Sequence, residues 1–157
     1  MRTILSVGLF LLLSPSVFAD YYQAETAFNK GKYGVALEKL MPLAEKGHAN
    51  ALNLLGHMYA YGKGVEQDSK ISLKWYELAA EKGQKYAQNK LGYIYAEGRG
   101  IIQDYIRAHM WYNISASQGV EDSKWGRDYV AHRMTADDIS KAQELARQCI
   151  AKSYKNC

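Results

Sequence analysis

Along most of this chain apolar residues return every three or four positions, the spacing of one helix face, and the interruptions recur 36 residues apart. Between 48 and 83, Ala51, Leu54, Leu55, Met58 and Tyr59 define a first amphipathic helix. Tyr61-Gly62-Lys63-Gly64 stops it, because Gly62 and Gly64 accept the positive φ of a tight connection. Asp68 is placed to cap the next helix by accepting a backbone N–H. That helix is expected to bury Ile71, Trp75, Leu78 and Ala79 and to close at Gly83 in a left-handed C-cap. From 84 to 119 the order returns: Ala87, Leu91, Ile94 and Tyr95, then Gly98-Arg99-Gly100, Asp104, and Ala108, Trp111 and Ile114 before Gly119.

Aligned without a gap, the two segments share 14 identical residues, among them Leu55/Leu91, Gly56/Gly92, Trp75/Trp111 and Tyr76/Tyr112. A fixed period of this size marks a solenoid, in which one unit cannot bury its apolar face without its neighbours. The fold class is therefore all-α, an α/α solenoid of antiparallel helix pairs with about seven to eight helices. Ahead of the copies Ala36, Leu40, Leu43, Ala44 and Gly47 keep the same register, and Asp20 is expected to cap a helix over Tyr21 to Asn29. Pro42, inside the following helix, predicts a bend. After Gly119 a third first-helix is expected from Glu121 to Arg133. Thr135 then caps a long final helix burying Ile139, Ala142, Leu145, Ala146 and Cys149. An altered last unit suits a solenoid that must cover its terminal core surface.

The first 19 residues stand apart from this periodicity. Arg2 precedes a run from Ile4 to Leu13 that is apolar but for Ser6 and Gly8, and Val17-Phe18-Ala19 puts small residues at the cleavage positions. This is the pattern of a secretory signal peptide, 1–19, and the run is shorter than the roughly 20 residues that span a bilayer. Residues 20–157 then form one domain of four units, 20–47, 48–83, 84–119 and 120–157, exported to the periplasm or secreted, with no membrane span after cleavage and expected to be monomeric. Without Arg2, 19 basic and 16 acidic residues remain, interspersed as on solvated helix faces, which argues against nucleic acid as a partner. Export favours pairing Cys149 with Cys157, the only two cysteines. A continuous helix would hold them about 12 Å apart along its axis, so the helix must end near Lys152 to Tyr154 and the tail fold back.

The motif Ala-x-x-x-Leu-Gly-x-x-Tyr, Gly-x-Gly-Val/Ile, Asp, Trp-Tyr-x-x-x-Ala-x-x-Gly, present at 51–83 and 87–119, resembles the Sel1-like repeat. That family is an α/α solenoid related to the tetratricopeptide repeat, and residues 21 to 47 look more like a tetratricopeptide unit. The resemblance implies an adaptor or scaffold role in the bacterial envelope or in host interaction.

Little in the chain has the spacing of catalytic chemistry. His48, His57, His109 and His132 have no carboxylate or cysteine at ligand spacing, so no metal site is expected, and no cofactor. No serine or cysteine sits in a nucleophile motif. In a solenoid of helix pairs the first helices line the concave side, and their positions between packing residues face the groove. These are Asn50, Asn53 and His57, then Tyr86, Asn89 and Tyr93, then Trp125 and Tyr129. A row of amides flanked by aromatics suits an extended peptide, since amides pair with its backbone while Tyr and Trp anchor its side chains. The reading is a non-enzymatic exported adaptor for a protein or peptide. One rival is a secreted host-interacting factor. The other is a β-lactamase-like hydrolase, since cysteine-rich secreted Sel1-like proteins resemble such enzymes; residues 20 to 148 lack their cysteine pairs.

Overall fold

The computed structural model describes residues 15–157, so the apolar run Ile4 to Leu13 that carries the signal-peptide reading lies outside them. The described residues form eight helices and no strand: α1 (Pro15–Asn29), α2 (Tyr33–Glu45), α3 (Ala49–Tyr61), α4 (Ser69–Glu81), α5 (Lys85–Glu97), α6 (Tyr105–Ser117), α7 (Glu121–Ala131) and α8 (Ala136–Ala151). Each packs on the next in line as far as α7, which also touches α5. The last step breaks the rule, because α8 packs on α6 and not on α7.

The repeated residues divide into those that end helices and those that set their distance. Gly62 and Gly98 close α3 and α5 in the left-handed region, at φ +63° and +68°. Gln67 and Gln103 donate from Nε2 to the carbonyls of Ala60 and Ala96, tying each loop to the last turn before it. Asp68 accepts from the amides of Lys70 and Ile71, and Asp104 from that of Arg107. Thr135 accepts from Asp138 in the same way. The three first-helix N-caps fall at His48, Gln84 and Val120, spaced by the repeat period, so the register runs unbroken into α7 although its sequence has diverged.

Gly56 and Gly92 have a steric reason. A Cβ on Gly56 would lie 2.7 Å from Cδ1 of Tyr76, and one on Gly92 2.6 Å from Cδ1 of Tyr112. Each tyrosine ring of a second helix therefore lies flat against bare backbone of the first. Ser72 adds a bond from Oγ to the Gly56 carbonyl, 2.8 Å. Gly64 and Gly100 are also more than turns: a Cβ there would meet Cβ of Tyr33 at 2.5 Å and of Ser69 at 2.9 Å, in the preceding unit.

Several expectations need correction. α4 buries Ser72, Tyr76, Ala79 and Ala80, and leaves Ile71 38% and Leu78 45% exposed. The expected apolar line was one residue off the true face because Ser72 belongs to that face and satisfies its hydroxyl on Gly56. α6, against which α5, α7 and α8 all pack, buries Trp111 and Ile114; α4 has no counterpart of α8, so Leu78, one period before Ile114, meets solvent. Asp20 does not cap α1, which already includes the residues Pro15 to Ala19 ahead of it. α7 ends at Ala131, two residues short of Arg133. The Cys149–Cys157 disulfide is formed with Cα atoms 5.2 Å apart, after α8 stops at Ala151 and Ser153, Tyr154 and Asn156 take positive φ.

Two glycine substitutions should move stability in opposite directions. Gly92→Ala drives a methyl into the ring of the buried Tyr112, and is expected to lower the unfolding free energy by about 1–3 kcal/mol. Gly34→Ala, in the first turn of α2 with nothing within 4 Å of its Cβ, should gain up to about 0.5–1 kcal/mol. Urea unfolding followed by circular dichroism measures both.

Candidate functional site

α3, α5 and α7 share one face, and on it the expected groove residues separate into two kinds. Tyr86, Trp125 and Tyr129 stand 53%, 76% and 52% exposed, and Tyr93 is also open to solvent. Three of these rings carry a cation: Lys85 Nζ lies 5.4 Å from the Tyr86 centroid, Arg99 Cζ 4.9 Å from Tyr93, and Arg133 Cζ 3.8 Å from Tyr129. At exposed positions such a pair contributes about 0.5–1 kcal/mol, enough to hold the ring and to leave the face basic.

The amides behave differently. Asn50 is exposed and accepts through Oδ1 from Gln84 Nε2 at 3.3 Å. Asn53 is half-buried with Oδ1 unpaired. Asn89 points into the interior: its Nδ2 donates to Ser123 Oγ at 2.7 Å, Ser123 to Ser115 Oγ at 2.7 Å, and Ser115 to the Lys85 carbonyl at 2.7 Å. This chain joins α5, α6 and α7, so Asn89 is a structural residue and the expected ladder of amides open to a peptide is not formed. Its partner is 34 residues away. No local signal announces such a pairing.

His57 lies within a ring cluster, 4.5 Å from the Tyr61 centroid and 5.5 Å from Phe28, whose ring is 5.3 Å from Tyr33. Burial, and then Lys90 and Lys63, hold His57 below the ordinary histidine pKa. Burial lowers His48, whose Nδ1 accepts from the Ala51 amide as the α3 N-cap, and lowers His109 as well. Among the described residues no group of His, Cys, Asp and Glu is arranged to hold a metal ion. No described helix is long and apolar enough to cross a membrane. The cations Lys90 and Arg99 and the buried Tyr76, which border this face, were not among the sequence candidates. Only Lys90 carried a signal, as a difference between copies: it stands where Leu54 and Gly126 stand in the neighbouring units.

Residues 49–84 and 85–120 match the Sel1 repeat. A protective antigen present in uropathogenic Escherichia coli strains, displaying an SLR fold, is similar with a TM-score of 0.81 and 27% identity over 88% of this chain and 31% of its own. A Sel1 repeat protein from Oxalobacter formigenes is similar with a TM-score of 0.67 and 32% identity, over 70% of this chain and 45% of its own. The chain thus spans under a third of the first structure and under half of the second. No curated protein sequence matches the chain.

Asn89→Ala is expected to lower stability by about 0.5–1.5 kcal/mol, because it leaves Ser123 and its chain short of a donor. Chemical unfolding reads this without any ligand. The lowered histidines give a pH dependence with a fixed sign: the unfolded chain binds more protons below its ordinary histidine pKa of 6.5, so stability is complete above it and falls as the solution is acidified. His48→Asn keeps a cap acceptor that does not titrate, and its melting temperature should fall less between pH 7.5 and 5.5 than that of the wild type.

Proposed function

Residues 49–84 and 85–120 are Sel1 repeats, and from that premise we propose that the chain is an exported, non-enzymatic adaptor that binds a protein or an extended peptide on the α3, α5 and α7 face in the bacterial envelope. Sel1 repeats commonly mediate protein–protein interaction. One observation carries the reading. Past the proposed cleavage site, every exposed aromatic among the described residues lies on the first helix of a pair, Tyr22 on α1, Tyr61 on α3, Tyr86 and Tyr93 on α5, Trp125 and Tyr129 on α7, whereas the large apolar side chains that α2, α4 and α8 expose are aliphatic, Val35, Ile71, Leu78 and Ile150. Tyrosine and tryptophan provide rigid contact area with a polar tip, which is what anchors a bound chain.

Peptides selected from a random display library on the immobilised protein should bind it and lose at least about tenfold in affinity to a Tyr93→Ala, Trp125→Ala variant, as two anchors of roughly 1 kcal/mol each imply. An Ile71→Ala, Leu78→Ala variant, altered on the other side, should bind as the wild type does. The reverse pattern would move the site to the second helices. Export is supported by the leader pattern at 1–19 and by the disulfide. Mass spectrometry of the natively expressed protein should find its N-terminus at Asp20 in periplasm or culture supernatant, and an intact N-terminus in the cytoplasmic fraction would refute it.

A further inference from the structure

Tyr76 and Tyr112 are the same residue of the two copies, yet their surroundings differ at the hydroxyl. Tyr76 is 2% exposed and its hydroxyl is buried without a hydrogen-bond partner. The residue lines a cleft of about 50 Å³ together with Tyr61, Gln67, Lys90, Tyr93 and Arg99. One period on, Gly126 stands in place of Lys90 and lies so close that a Cβ would be 2.5 Å from Cε1 and Cζ of Tyr112, and Glu97 stands in place of Tyr61. The second position is therefore filled by backbone and bordered by a carboxylate. The first is open and bordered by two cations, with no acidic residue in its lining.

Neither Lys90 nor Arg99 is ion-paired among the described residues, and Arg99 is held over the Tyr93 ring at 4.9 Å. Burial, and then Tyr61, push the Tyr76 phenol well above its usual pKa, so it remains a donor. A cleft of this size admits about three or four water-sized groups, which fits the three heavy atoms of a carboxylate and excludes a sugar or a base. Cations and a hydroxyl that converge on one point bind an anion through charge-assisted hydrogen bonds.

We propose that this cleft receives a carboxylate of the bound chain, either its C-terminus or an Asp or Glu side chain, with Tyr76 Oη donating from the floor and Lys90 and Arg99 pairing at the mouth. The proposal rests on the peptide-binding reading above and gives it a chemical selectivity: the partner is acidic where it meets the junction of α3, α4 and α5. In the copy centred on Tyr112, backbone and a carboxylate take the equivalent place.

The test titrates the full protein with three small probes while following the amide chemical shifts of the residues that line the cleft. N-acetylglycine stands for a chain terminus, the α-amide of N-acetylglutamate for an acidic side chain, and N-acetylglycinamide for a neutral control. At least one acid should shift these signals saturably and the control should not; the acid that binds more tightly identifies the source of the carboxylate. Lys90→Gln with Arg99→Gln should weaken that binding at least about tenfold. Tyr76→Phe, which removes a buried hydroxyl and keeps the ring, should fold normally and weaken it about two- to tenfold. Equal shifts from acid and amide, no shift from any probe because the cleft holds solvent only, or unchanged binding by both variants would overturn the proposal. Because these probes are not peptides, such a failure leaves peptide binding itself to be decided separately, by selection on the display library.

Discussion

The distance between the two helices of each repeat is fixed by a tyrosine ring lying on a glycine. With Gly56 facing Tyr76 and Gly92 facing Tyr112, no Cβ fits between ring and helix axis. Interiors this dense do not absorb an added methyl without moving backbone. The rest of the unit follows from this contact. The αL turns must bring the chain back at close range, the aspartate caps must start the second helix at the right height, and Ser72 can reach the Gly56 carbonyl only because the helices are so near. The same contact carries a large aromatic through the layer, so that its polar end emerges under the face made by the first helices.

Local signals in the sequence were sufficient wherever the structure is local. Asp68, Asp104 and Thr135 are strong cap acceptors lying just ahead of apolar periodicity, and all three cap. The end of α8 followed from helical rise, since a tail that turns back is the one way to join cysteines eight residues apart at the end of a helix. His48 and Gln84 were not recognisable as caps because neither type has a strong intrinsic preference for that position. The repeat frame puts them there.

Readings that depended on distant partners failed for physical reasons. Leu78 looks like a core residue on its own helix and is exposed because α4 has no neighbour in the place that α8 takes on α6. Asn89 looks like a groove amide and is consumed by Ser123 across α5 and α7. In both cases periodicity gave the helix correctly, but which side faced inward was decided by neighbours one unit away. Tyr76 lies outside the face expected for α4 and is nonetheless buried, with its hydroxyl unpaired.

The substitutions of Gly126 for Lys90 and of Glu97 for Tyr61 have a consequence for alignment. Units identical at 14 positions offer an extended chain nearly the same track twice, and on such a track a bound strand has two degenerate placements, offset by one unit and close in energy. A single unit that differs in charge and depth lifts that degeneracy. It acts as the zero mark on a ruler whose divisions are otherwise alike, giving the surface a direction and a unique starting point that periodicity alone could never encode.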